Sequence, residues 1–194
     1  METYHSFTQA YDDIARILKT NCMVAMPLLG AAARQEGDFC SFQAIWDTGA
    51  TSSCITQAVV DAISLKPTGM TTVHGVQGVA VVETYLVNIA LPNGVEFANV
   101  QVTKGILPGG ADGDLLIGMD IIAAGDFAVT NKGGQTVFSF QTPSRQHIDF
   151  VLIGNAEVAK FKAWQSQTSK GPTGGIASTR QQRRKAERQA SKRA

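Results

Sequence analysis

The segment Ala44-Ile45-Trp46-Asp47-Thr48-Gly49-Ala50-Thr51 constrains this chain more than any other. An apolar run leads straight into a carboxylate, a small β-branched hydroxyl and a glycine. Such a run bounded by turn residues reads as a strand, which leaves Asp47 at the strand's end on a tight loop. Gly49 frees the backbone to turn or to let another chain approach closely. The Thr48 hydroxyl can hold the loop. An Asp-Thr-Gly triplet alone arises by chance in on the order of one chain in 25, so its surroundings decide what it means.

Those surroundings are β-like. From Cys22 to Phe140 short apolar runs alternate with turn residues. Tyr85, Val87, Ile89 and Leu91 share one face of a strand, and Pro92-Asn93-Gly94 supplies hairpin turn chemistry. Val95 and Phe97 continue on one parity while Val100 and Val102 fall on the other, which predicts a bulge near Ala98-Asn99. Phe127 and Val129, a turn over 131–134, then Phe138 and Phe140 predict a second hairpin. Short helices are expected at Gln57–Ile63 and Met119–Ala124.

Both flanks read as helical. Ser6 and Gln9 have capping-box spacing, and Phe7, Tyr11, Ile14 and Leu18 recur at 4, 3 and 4 residues, which predicts a helix over 1–21. His147–Ile153 can add a strand. Asn155 then suits the N-cap of a helix over 154–168, with Val158, Phe161 and Trp164 on one side. Beyond it, Ser169 to Gly175 reads as a linker, and 169–194 as linker plus basic tail. The domain itself is expected at 22–153.

The whole-chain charge of +1 hides a split. Residues 180–194 hold seven cations against Glu187, a net +6, which leaves the preceding residues at −5. Such a tail suits a nucleic acid or an acidic partner, although it has no aromatic residue for base stacking. No stretch reaches the roughly 18 apolar residues of a membrane span. The N-terminus lacks a cationic start and an apolar run, so no signal peptide is expected. Cys22, Cys40 and Cys54 form no CxxC pair, so free thiols and a cytoplasmic setting are expected.

The Asp47 segment resembles the active-site loop of retropepsin-like aspartic proteases, whose signature is Asp-Thr/Ser-Gly-Ala after an apolar strand. Other features match in order. Val73-His74-Gly75-Val76-Gln77-Gly78-Val79 resembles the glycine-bearing flap hairpin. Leu115-Leu116-Ile117-Gly118 resembles the apolar strand that crosses beneath the catalytic loop, and Met119–Ala124 stands where the family has a helix. The resemblance covers residues 22–141. It implies an all-β fold, a small closed antiparallel β-barrel of the acid protease type, here with flanking N- and C-terminal helices.

It also implies a homodimer. The chain has a single Asp-Thr-Gly, and the chemistry needs two carboxylates, one ionised and one protonated. Asp47 and its copy then activate water against an extended peptide. Thr48, Gly49 and Ala50 support the loop; His74, Gly75, Val76, Gln77 and Gly78 form the flap; Leu116, Ile117 and Gly118 brace from below. No metal or cofactor is implied. The alternative is a catalytically silent dimerisation or binding module with a basic tail.

The sequence departs from the family in two places. Retroviral enzymes often carry Asp directly after Asp-Thr-Gly-Ala, where Thr51, Ser52 and Ser53 stand here. They often carry Arg-Asn after the apolar-apolar-Gly strand, where Met119-Asp120 stands here. Asp120 and Asp126 read as caps, and 111–114 reads as a surface turn without EF-hand spacing. Gly109-Gly110 and Gly75-x-x-Gly78 lack the lysine of a phosphate loop. Ser53 and Cys54 lie in no nucleophile elbow, and His5, His74 and His147 are too far apart in sequence to suggest a ligand set.

Overall fold

The computed structural model describes residues 5–27, 38–75, 78–107 and 113–168. The chain divides into two compact units, Met1–Gln146 and His147–Ala194.

The first unit is built almost wholly from strands. Six of them close a ring of hydrogen bonds: β2 (Leu18–Ala25), β3 (Cys40–Trp46), β8 (Leu115–Ile117), β4 (Cys54–Ile55), β7 (Glu96–Lys104) and β6 (Gly78–Ala90), which returns to β2. β5 (Gly69–Gly75) pairs with β6 outside the ring. The all-β expectation holds, but the ring is not the regular antiparallel barrel expected, because β3–β8 and β4–β7 pair in parallel. The cause is topological: β8 inserts between β3 and β4, which run in opposite directions, so it must be parallel to one of them.

A second sheet has the order β1-β10-β9, formed by His5–Ala10, Val137–Thr142 and Asp126–Thr130. This corrects the N-terminal helix expected over 1–21. Phe7, Tyr11 and Leu18 do pack on the core, but from a strand, a turn and a strand. Phe7 lies opposite Phe140 in the β1–β10 ladder. The Tyr11 hydroxyl closes the turn, donating to Lys19 O at 3.0 Å and accepting from Lys19 N at 2.7 Å. Pairing with a distant strand overrides the helical spacing.

Both hairpins form. Leu91 N donates to Val95 O across the Pro92-Asn93-Gly94 turn, with Gly94 at φ +78°. The β6–β7 register shifts between Val87 and Ile89 opposite Ala98-Asn99, where Asn99 has φ +55° and its N–H donates to Asn88 Oδ1 at 2.9 Å. The helices α1 (Gln57–Ala62) and α2 (Met119–Ile122) follow the expected starts. Trp46 centres the core: its ring lies 5.1 Å from both Phe138 and Phe140, and its Nε1–H donates to Thr20 Oγ1 at 2.8 Å.

In the second unit, α3 spans Phe150–Thr168. This corrects the strand expected at His147–Ile153 and the cap expected at Asn155. Asp149 takes that role, its Oδ1 accepting from Val151 N at 2.8 Å and Leu152 N at 3.0 Å; two such bonds satisfy donors that a helix start leaves open. The linker and basic tail at 169–194 lie outside the described residues. Among those described, no helix is long and apolar enough to cross a membrane.

Candidate functional site

The Asp47 loop is pinned where β3 meets β8. Trp46 pairs with Ile117 in that parallel ladder, and the next residue continues the contact, Asp47 N donating to Ile117 O at 3.0 Å. The loop then folds on the Asp47 side chain. Gly49 N donates to Asp47 Oδ1 at 2.8 Å and Ala50 N to Asp47 O at 3.3 Å. A backbone N–H aimed at a carboxylate oxygen fixes its orientation. Asp47 remains partly exposed, and Thr48 and Gly49 are exposed. Within the chain, these backbone bonds hold the loop.

Beneath the loop, Gly118 admits no side chain. A Cβ there would lie 2.6 Å from the Ser52 carbonyl carbon and 2.8 Å from its oxygen. The following residue returns to the loop, Met119 N donating to Ala50 O at 2.8 Å. Leu116 lies in a small apolar cluster with Ile45 and Leu107, against which Ala50 and Cys54 pack. Burial pushes the Cys54 thiol up to about 11; a backbone hydrogen bond at Leu116 opposes this, and the Asp47 and Asp120 charges add to it.

Sequence reasoning missed one residue pair. Ser53 is fully buried; its N–H donates to Asp120 Oδ2 at 3.0 Å and its hydroxyl to Asp120 Oδ1 at 2.8 Å. Its Oγ also accepts from Gly118 N at 3.0 Å. Asp120 is more than the expected cap: it ties α2 to the strand leaving the Asp47 loop. Nothing local to either residue marked the pair: Thr51 stands at the position of the family's acid and Met119 at that of its arginine. Asp126 is likewise a clamp on the loop after β10, accepting from Ser144 Oγ, Arg145 N and Gln146 N. That holds its carboxyl below the ordinary range, the Ser144 bond contributing most.

The β5–β6 hairpin brings Gly75 opposite Gly78 and His74 opposite Val79. Gly78 has φ +114°, which favours glycine. Val76 and Gln77 lie outside the described residues. Pairing of β6 with β7 begins at Thr84, so the hairpin projects beyond the ring. His74, Gly75 and Gly78 are exposed on it. Asp47, Gly49, Ala50, Ile117 and Gly118 are thus joined by direct bonds or close packing, whereas the hairpin residues belong to a separate projection. Asp114, expected in a surface turn, instead closes the β3–β8 end, its Oδ2 accepting from Gln43 N at 2.9 Å.

Residues 37–124 match the family described as "gag-polyprotein putative aspartyl protease". No curated protein sequence matches the chain. Solved structures are similar, among them the following two proteases. A retropepsin-like aspartic protease from Rickettsia conorii shares 13% identity over 73% of this chain and 98% of its own, with a TM-score of 0.43. The Simian Foamy Virus (mac) protease shares 16% identity over 54% of this chain and 92% of its own, with a TM-score of 0.33. The segment that carries Asp47, Gly118 and Asp120 is thus the part of the chain that is similar to this aspartyl protease family.

Proposed function

We propose that the protein is an aspartic endopeptidase that works as a homodimer. The observation that carries this reading is the Asp47 carboxylate: partly exposed, at a strand end, and oriented by Gly49 N. One such group is half of the required pair. Two copies meeting on a two-fold axis supply both. Like charges about 3 Å apart cannot both ionise readily, so the pair shares one proton and titrates in two steps that belong to the pair. The ionised member draws a proton from water, and the oxygen of that water attacks the peptide carbonyl. The protonated member donates a hydrogen bond to the carbonyl oxygen.

The exposed Thr48 hydroxyl is free to brace the partner's loop. An extended peptide lies along the loop as an added strand, and the projecting hairpin with His74, Gly75 and Gly78 closes over it and excludes water. Ala50 and Leu116 line the floor, and Ile117 and Gly118 hold the loop's height. The free thiols of Cys22, Cys40 and Cys54 suit a reducing, cytoplasmic compartment.

Digestion of a peptide library between pH 3 and 8 tests the reading, with the wild type beside Asp47→Asn. Cleavage lost by roughly a thousandfold or more in the variant, with the dimer retained, is expected. Wild-type cleavage should also fall on dilution below the dimer dissociation constant. A verified wild-type dimer that cleaves nothing across this range leaves a dimerisation module instead.

A further inference from the structure

Helix α3 presents an apolar surface along its length. Phe150, Val151, Leu152, Ile153, Val158 and Phe161 are each 48–75% exposed, and Phe161 stacks on Trp164 with ring centroids 6.0 Å apart. In proteins a helix such as this one, of 19 residues, draws most of its stability from packing an apolar face. Val151, Gly154, Val158 and Phe161 recur at 3, 4 and 3 residues, the a and d spacing of a two-stranded seam. A Cβ at Gly154 would meet nothing within 4 Å, so the seam is open there.

Charges border this seam in a telling order. With Val151 and Val158 at a positions, Glu157 falls at g and Lys162 at e, five residues on. In a parallel pair, that is the spacing at which g of one helix meets e of the other. The helix thus carries on one chain both halves of an ion pair that closes only against a copy of itself.

We infer that α3 packs in parallel against α3 of a second copy, with Val151, Gly154, Val158 and Phe161 in the seam and Glu157 facing Lys162 of the partner subunit. Covering roughly 100 Å² on each of Val151, Val158 and Phe161 in the seam and on Phe150 and Trp164 at its flanking g positions buries about 1,000 Å² over two helices, the least expected of a specific interface. The inference deepens the dimeric reading above and rests on it for the second copy. The helix pair then holds the two chains together independently of the contacts around Asp47.

Sedimentation of the full chain over a dilution series, with helix content followed by circular dichroism, tests the pairing. Val158→Glu is expected to raise the dimer dissociation constant about tenfold or more, with cleavage restored above the new constant. Glu157→Lys is expected to weaken the dimer about threefold, and adding Lys162→Glu to restore it. A dissociation constant unmoved by Val158→Glu, with cleavage intact, overturns the helix pairing and leaves the shared Asp47 site standing. The expected shifts in a protein that cleaves nothing overturn the catalytic reading and leave the pairing. A wild type monomeric at every concentration that co-floats with phosphatidylserine vesicles overturns the pairing in favour of a lipid surface.

Discussion

Ser53 and Asp120 are joined twice, through the Ser53 N–H and the Ser53 hydroxyl, one to each carboxylate oxygen. They lie 67 residues apart in the chain, and the bonds lock the strand leaving the Asp47 loop to the helix after Gly118. Ser53→Ala removes one donor to Asp120 and the acceptor of Gly118 N, both in buried or part-buried surroundings. The expected cost is about 1–3 kcal/mol of folding stability, read by urea unfolding. A double-mutant cycle with Asp120→Asn should show a coupling of about 1–2 kcal/mol; strictly additive losses would mean that the two side chains act separately.

Gly118 and Gly49 separate support of the loop from aim of the carboxylate. In Gly118→Ala the new Cβ meets backbone at 2.6 Å, which cannot give without moving the Asp47 loop, so stability should fall by about 3 kcal/mol. In Gly49→Ala the new Cβ meets only Asp47 Oδ1, at 3.2 Å, the end of a side chain that can turn. Melting should change little there, while kcat falls as the carboxylate shifts. Equal melting losses in both variants would contradict this division.

What the sequence made legible was short-range. The Asp47 loop, the two hairpins, both short helices and the bulge at Ala98-Asn99 are each set by residues within a few positions of one another. Phe7 was misread because its partner Phe140 lies at the far end of the domain, and the spacing of Phe7, Tyr11, Ile14 and Leu18 satisfies a helix equally well. The start of α3 was placed too late because Asp149 and Asn155 are both sound N-caps, and only the folded chain shows Asp149 bonded. Ser53–Asp120 was invisible for the same reason as β1: nothing local marks a partner that folding brings from so far.

Cys54 gives a titration of the floor beside Asp47. Its thiol is pushed up to about 11, chiefly by burial. At pH 8 the thiolate fraction is then roughly a hundredfold below that of an unperturbed thiol. Higher intrinsic nucleophilicity recovers about tenfold of that. Iodoacetamide should therefore modify Cys54 about tenfold more slowly than free cysteine at pH 8, with the rate still climbing between pH 9 and 10. Peptide mapping by mass spectrometry reads the site, and a rate that levels off below pH 9 would contradict the shift.

Asp126 predicts how the β9–β10 end responds to acid. Its carboxyl is held below the ordinary value of 3.8, first by the Ser144 hydroxyl and then by the backbone N–H groups of Arg145 and Gln146, against opposing desolvation. A carboxylate with a folded pKa lower than its unfolded one binds protons more readily when unfolded. The stability it adds is therefore complete above the unfolded value, near pH 4, and is lost as pH falls through the lower folded value. Solvent screens the group, so the effect is modest. Urea midpoints of wild type and Asp126→Asn should differ most at pH 5–7 and converge as pH drops below about 4. At high pH, proteolysis near Arg145 should be faster in Asp126→Asn, because the loop loses its charged acceptor. A gap between the two proteins that widens on acidification would show the sign to be reversed and remove Asp126 as the clamp.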